Sequence, residues 1–421
     1  IWALWQPHTF SRTQQLLKSF IHAFENADRI LVAPIYASRE TETDFGNCDL
    51  MKALRAVRPD AVFAETNENA VRLLTAGLTS GDVVVTLSAG DANQFGPAAL
   101  KRRMEQLASA NVDELRARIV RGQPIAVISN LRVGGPAAET LIVRTIGELR
   151  TAVIDARNEG IPYKVVGGLS NILFPDSGFD GRLIVNQSDE IRLHETENGS
   201  VRVTAASGAS LNDLVRITVD YHLSGLEWAT RIPGSVGGAV YGNAGAYGSE
   251  IKDSLRYVTV LSPKNEVITL QKAEIPFVYR ASAFKTGERT GTILSAEFEL
   301  FPRDPDEIEA KSAEIWAKRD KFNFKNQGSL GSVFRNPSGD YAGRLITEAG
   351  LRNAVEGGAA VSDFHGNIFV TNLGATSADF LRLVNRVHDR ILVDFGVDLR
   401  TEIEVFPPKG AESNGEGGMT A

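Results

Sequence analysis

The segment from Arg231 to Gly248, RIPGSVGGAVYGNAGAYG, constrains this chain more than any other. Gly234, Gly237, Gly238, Gly242, Gly245 and Gly248 crowd into it, more glycines than turns require. A backbone held against a ligand is the economical reading, because missing side chains let the main chain approach a pyrophosphate or a flat ring. Ile232, Val236, Val240 and Tyr247 are interleaved anchors that a flexible linker would lack. A second glycine element, Gly167-Gly168-Leu169-Ser170-Asn171, follows the apolar run YKVV. At a strand end such glycines let N–H groups converge into a nest, and Ser170 and Asn171 add side-chain donors for a diphosphate. Neither element is a GxGxxG opening a helix, so the usual dinucleotide fingerprint is not met. Together the two elements suggest one extended cofactor.

The 421 residues predict two to four domains. Forty-five basic against 52 acidic residues leave a net charge of −7 with no basic block, which argues against nucleic-acid binding. No apolar run approaches the roughly 20 residues that span a bilayer, and the opening IWALWQPH lacks a basic leader, so a cytoplasmic location is expected. The single cysteine, Cys48, excludes an intrachain disulfide and reads as a small buried apolar residue. The six histidines show no metal-binding spacing, and no metal site is expected.

Strand-like runs IWALWQ, RILVAPIY, AVFAET and VVVTLSAG alternate with the helical patterns SRTQQLLKSFIHAFENA, CDLMKALRAVR and NENAVRLLTAGL. This alternation predicts a doubly wound α/β domain over 1–112, with Ser11 as N-cap of the first helix. A helix from Gly96 to about Arg121 is expected to lead onward. From Pro124 the texture becomes glycine-punctuated α+β, expected as domains 113–303 and 304–408, followed by a disordered polar tail at 409–421. The first residues already lie inside a strand pattern, and the chain is expected to be part of a longer one.

The motifs VGGLSN, IPGSVGGAVYGNAGAYG, FVYRASAFK, GSVFRNP and LRTEIEVF, in that order, resemble those of the UDP-N-acetylenolpyruvoylglucosamine reductases, flavoenzymes of peptidoglycan precursor synthesis. The resemblance runs from about Asn130 to about Pro407. It implies an FAD-binding domain of the vanillyl-alcohol-oxidase type, a smaller substrate domain, FAD and NADPH as cofactors and a UDP-sugar as substrate. Matched position by position, it assigns cofactor contacts to Gly167, Gly168, Ser170, Asn171, Pro233, Gly234, Ser235, Gly237, Gly238, Asn243 and Gly245. It assigns catalysis to Arg280, Ser332 and Glu402, with Glu404 close enough in sequence to be confused with the last. Tyr279, Arg335 and Asn336 are assigned to the substrate. His365 and Asn367 match a family segment in which asparagine usually stands at Thr371. Arg280 and Ser332 are only 332 − 280 = 52 residues apart, which leaves no room for a further βαββ insertion and resembles the shorter subclass.

Those residue types suit the reaction the resemblance implies. Hydride addition to an enolpyruvyl ether pushes charge onto its carboxylate, which a guanidinium stabilises. The neighbouring carbon then takes a proton, a step a serine performs when water is excluded. An FAD-dependent oxidase of the same fold is the competing reading.

Residues 1 to about 105 resemble the C-terminal domain of UDP-N-acetylmuramate–L-alanine ligases, through ALWQPHTFSRT, VAPIYASRE and VVVTLSAGD. This makes His8 and Arg12 candidate remnants of a ligase site and the remaining ligase domains the expected partners. The chain has no GxxxxGK[ST] loop, so no ligase activity is expected from it alone.

Overall fold

Apolar alternation in the first strand places its side chains on two faces, and both are covered. In the computed structural model, which describes residues 1–40, 45–78, 82–88, 90–99, 111–196, 199–320 and 327–407, the chain divides into two units, Ile1–Ser109 and Ala110–Ala421. In the first unit, β1 (Trp2–Gln6), β2 (Arg29–Val32), β3 (Val62–Phe63) and β4 (Val84–Ser88) form a parallel sheet in the order β3-β2-β1-β4. Ala3 and Trp5 pack with Phe10, Phe24, Leu50 and Leu54, which come from or lie near α1 (Phe10–Phe20) and α2 (Asn47–Val57). Trp2 and Leu4 pack on the opposite face with Leu74 of α3 (Asn67–Gly77) and with Phe95.

Three local expectations for this part of the chain are corrected. Ser11 lies inside α1, whose N-cap is Thr9, and its N–H and hydroxyl are taken by the Glu40 carboxylate at 3.0 and 2.5 Å. Cys48 is exposed, because α2 turns Leu50, Met51 and Leu54 inward and leaves the second helical position in solvent. The onward helix does not reach Arg121: residues 95–99 and Val112–Ala117 are helical, whereas Val120–Arg121 is a strand paired with Ala137–Val143. Most of the intervening stretch, like the tail expected at 409–421, lies outside the described residues.

The second unit holds three larger sheets. Ala137–Val143, Phe179–Asn186 and Tyr163–Val166 pair in parallel under the helix Ile146–Asn158. Val201–Ala206, Thr292–Pro302 and Leu255–Leu261 lie at the centre of an antiparallel sheet whose core also takes in Leu214, Val236 and Val240. Gly328–Ser332, Ile368–Thr371 and Ala359–Val361 form the third sheet, covered by the amphipathic helix Ser377–Phe395 through Phe380, Leu383 and Val387. Leu131, Val133 and Leu173 from earlier in the chain join that third core. Among the described residues no helix is long and apolar enough to cross a membrane.

One long-range cap fastens this helix to the earlier part of the unit. The Asp176 carboxylate accepts the N–H groups of Ser377 and Ala378 at 2.7 and 2.9 Å, and the Ser377 hydroxyl donates to the Phe174 carbonyl at 2.6 Å. Removing such a cap leaves helical donors unsatisfied. Asp176→Ala is therefore expected to lower the unfolding free energy by about 1 kcal/mol, read as a shifted urea midpoint with unchanged slope.

Candidate active site

The glycine-rich segment is sewn to the turn that precedes helix Leu211–Asp220. Gly237 N–H donates to the Ser207 carbonyl at 2.8 Å, Val236 N–H to Ala209 at 2.9 Å and Leu211 N–H to Gly234 at 3.0 Å. A Cβ on Gly237 would lie 2.8 Å from Ser207 Cβ, and one on Gly167 would lie 2.8 Å from Ser235 Cβ. These two glycines are required by contact of the chain with itself. Gly168 and Gly242 differ, since a Cβ at either would meet no protein atom within 4 Å. Both face a cleft of about 350 Å³, so part of the glycine surplus serves internal packing and part leaves room for a ligand.

That cleft gathers most of the residues singled out in the sequence. Gly167, Gly168, Ser170, Asn171, Pro233, Gly234, Ser235, Gly237, Gly238 and Gly245 line it together with Arg280, Ser332 and Glu402. Ser235 caps the helix Val236–Gly242 by accepting Gly238 N–H at 3.2 Å. Ser170 reaches the Pro233 carbonyl at only 3.5 Å, and Asn171 donates to the Glu402 carbonyl at 3.3 Å.

A bulge aims the serine. Strands Gly328–Ser332 and Ile368–Thr371 lose register between Ser329 and Ser332, with Gly331 at φ 75° and its N–H held by Ser329 Oγ at 3.1 Å. The extra residue turns Ser332 toward the cleft. Asn367 then clamps the next residues: its side chain accepts Phe334 N–H at 2.9 Å and donates to the Phe334 carbonyl at 2.7 Å. His365 in turn accepts Asn367 N–H at 3.1 Å, and burial pushes its imidazole below the usual histidine range. Thr371 is buried and donates to the Leu131 carbonyl, a role in the core.

Arg280 and Glu402 approach to 3.0 Å between Nε and Oε1, yet the Nε–H points off that line and is left without a directed acceptor. Arg280 itself sits at φ 59°, in the left-handed region. Leu169, Arg231, Asn243 and Tyr247 share that region at φ 48°, 59°, 45° and 53°. For ordinary side chains it costs about 1–2 kcal/mol per residue, so the cleft margin is built from backbone that the surrounding packing must hold in place.

Glu404 is separated from Glu402 by the buried Ile403, and both glutamates line the cleft. Their partners differ. Glu404 binds Lys164 Nζ at 2.8 Å and accepts the Tyr241 hydroxyl, and burial with that carboxylate drives the Tyr241 phenol well above its usual range.

Four assigned residues fall outside the cleft lining. Asn243 is fully buried and donates to the Val278 carbonyl at 3.0 Å, which supports the loop leading to Arg280. Tyr279 is 47% exposed, with the Arg280 guanidinium 5.2 Å from its ring centroid. The Arg335 N–H donates to the Arg400 carbonyl at 2.8 Å, while its Nε is buried with no acceptor among the described residues. Asn336 accepts Ala342 N–H at 3.1 Å and lines a neighbouring cavity of about 400 Å³ together with Ser332 and His365. The sequence reading overlooked Lys164, Tyr241, Lys285, Thr292 and Arg319, all of which line the cleft. A lone lysine in the apolar strand YKVV was the available signal for the first. His8 and Arg12 belong to the first unit, where the His8 ring stacks on Tyr36 at 6.1 Å and Arg12 is exposed.

Comparison with known proteins bears on the second unit. A family model for the C-terminal domain of UDP-N-acetylenolpyruvoylglucosamine reductase matches residues 323–406, and one for an FAD binding domain matches 137–271. The UDP-N-acetylenolpyruvoylglucosamine reductase of Limosilactobacillus reuteri is 35% identical over 289 residues, 68% of this chain and 95% of that protein. Its counterpart in Levilactobacillus brevis is 37% identical over 290 residues, 69% of this chain and 93% of that protein. A crystal structure of the reductase from Thermus caldophilus superposes with a TM-score of 0.57 at 34% identity, covering 69% of this chain and 99% of that one.

The left-handed conformation of Arg280 gives a direct test of strain at the site. Arg280→Gly is expected to unfold at a free energy about 1 kcal/mol higher than Arg280→Ala, measured by urea titration, because only glycine enters that region freely.

Proposed function

The chain belongs to the UDP-N-acetylenolpyruvoylglucosamine reductase family, and from the geometry of its cleft we propose how it performs that reaction. The protein is an FAD- and NADPH-dependent oxidoreductase of peptidoglycan precursor synthesis, reducing UDP-N-acetylglucosamine enolpyruvate to UDP-N-acetylmuramate. One observation carries the assignment of roles: Arg280, Ser332 and Glu402, from three separate stretches of chain, meet in the cleft that the two glycine elements line. An oxidase has no need of that trio.

The residues present fit FAD. Gly168 and Gly242 leave open volume, and the buried Thr292 hydroxyl lines the same cleft without a partner among the described residues. Gly167, Gly168, Ser170, Asn171 and the Pro233–Gly238 turn would hold the cofactor, with Gly245 beside them. Bound there, FAD would supply hydride transfer between NADPH and the enolpyruvyl double bond. Arg280 meets the charge that develops on the substrate, and Glu402 holds its guanidinium in place. Ser332, whose hydroxyl bonds no other described residue, gives the proton to the carbon next to the carboxylate. Arg335 and Asn336 lie beyond Ser332 in the chain and serve the UDP portion, with Tyr279 at the margin.

For the domains we keep the divisions 1–112, 113–303 and 304–408, the second for FAD and the third for substrate. For the first we propose a doubly wound domain of the muramate–alanine ligase type; its parallel sheet and the QPHTFSRT segment support that reading. A cytoplasmic site of action follows from the nucleotide-linked substrate.

Two substitutions separate cofactor space from packing. Gly168→Ala should leave the apoprotein as stable as before and weaken FAD binding about tenfold by fluorescence titration, because its methyl group enters only open cleft. Gly167→Ala, which drives a methyl into Ser235, should instead lower the stability of the apoprotein itself.

The proton donor is tested by half-reactions. Ser332→Ala is expected to keep NADPH-dependent bleaching of the flavin while slowing its reoxidation by the enolpyruvyl substrate by about 10²–10⁴. Equal slowing of both would remove Ser332 from that role.

A further inference from the structure

The charges in the cleft do not cancel evenly. Its lining carries the cations Lys164, Arg280, Lys285 and Arg319 and the carboxylates Glu402 and Glu404. Glu402 is matched to Arg280 at 3.0 Å and Glu404 to Lys164 at 2.8 Å. Arg319 lies against the Tyr247 ring, 5.5 Å from its centroid, and shares a hydrogen bond with that phenol. Lys285 alone among these cations has neither a carboxylate partner nor a hydrogen bond to any described residue.

Its placement is firm. Lys285 follows Ala283 and Phe284, both buried, in the short helix Ala283–Thr286. That turn is pinned by Ala283 N–H to the Pro276 carbonyl and by the Ser282 hydroxyl to the Tyr241 carbonyl, each at 2.8 Å. Burial and the Arg335 guanidinium depress the proton affinity of Lys285, while Glu404 and Glu402 pull the other way, which sets the ammonium among the residues assigned to the reaction. A half-buried cation without a counter-ion is costly, and an anion entering the cleft relieves that cost.

We infer that Lys285 binds the carboxylate of the enolpyruvyl substrate and carries the charge that builds on it during reduction. This rests on the reductase reading above. In the step concerned, hydride adds to the terminal vinyl carbon and the π pair moves onto the carboxylate, which gains one negative charge. The pair then returns to form the C–H bond at the neighbouring carbon with the proton from Ser332, and that serine regains a proton from solvent. Two electrons and one proton come from NADPH by way of FAD, and the second proton comes from water. Arg280 is already half neutralised by Glu402, which leaves Lys285 and Arg319 as the lining cations without a carboxylate, and of these Arg319 is engaged by Tyr247.

The test compares Lys285→Met and Lys285→Arg holoenzymes, both checked for FAD content. Binding of UDP-N-acetylglucosamine enolpyruvate is read from flavin absorbance, beside binding of UDP-N-acetylglucosamine, which lacks the carboxylate. Lys285→Met should lose about 10- to 100-fold in affinity for the enolpyruvyl substrate and none for UDP-N-acetylglucosamine, and Lys285→Arg should recover most of the loss. Flavin reoxidation by the substrate should slow further in Lys285→Met, with reduction by NADPH unchanged. Equal losses for both ligands would place the lysine on the diphosphate and overturn the inference, as would unchanged binding and reoxidation. If the wild-type enzyme itself failed to oxidise NADPH with the enolpyruvyl substrate, the reductase reading would fall and this inference with it.

Discussion

The segment 400–406, near the end of the described chain, holds the candidate active site together. Glu402 N–H donates to the Val333 carbonyl and Arg335 N–H to the Arg400 carbonyl, both at 2.8 Å. On the other side Glu404 N–H donates to Asn171 at 2.9 Å and Phe406 N–H to Leu173 at 2.8 Å. This segment thereby joins the loop that carries Asn171 to the stretch that follows Ser332. Its own side chains reach Arg280 through Glu402 and Lys164 through Glu404. Every bond in this clamp links residues far apart in sequence, so it forms only as the second unit folds, and Arg280, Ser332 and Glu402 are brought together by the same event.

Strain and charge are both concentrated at this junction. Arg280, Leu169 and Tyr247 hold left-handed backbone that their residue types disfavour. Leu169 is buried among Val166, Phe174 and Phe179, so apolar packing offsets the conformational cost there. Opposed charge pairs in a partly buried cleft keep Arg280 and Lys164 fixed, and a fixed dipole needs little reorganisation when charge develops on a substrate. An acidic protein can thus present a locally positive site to a UDP-sugar.

The glycine-rich lining of the cleft was largely legible in the sequence, because glycine reports a backbone requirement without reference to distant partners. Why each glycine is there was not legible: Gly167 and Gly237 answer to Ser235 and Ser207, whereas Gly168 answers to open space. The motifs also offered Ser332 and Glu402 as candidates, whereas the different partners of Glu402 and Glu404, Arg280 and Lys164, could be seen only in the fold. Asn243 belonged to the right motif and proved to support the neighbouring loop, since its fully buried amide bonds the Val278 carbonyl. Cys48 failed for a simpler reason, its place on the outer side of an amphipathic helix.

Local pattern by itself determined the elements: the parallel sheet of the first unit, the helix Ser377–Phe395 and the glycine turns follow from periodicity and residue type, which act over a few neighbours. The resemblance to the family supplied the candidates for the reacting side chains. Tertiary structure alone decided which cation stays unpaired, because the balance among Lys164, Arg280, Lys285, Glu402 and Glu404 depends on distances across the cleft. Electrostatic energy varies with separation and burial, and neither can be read from positions along a chain.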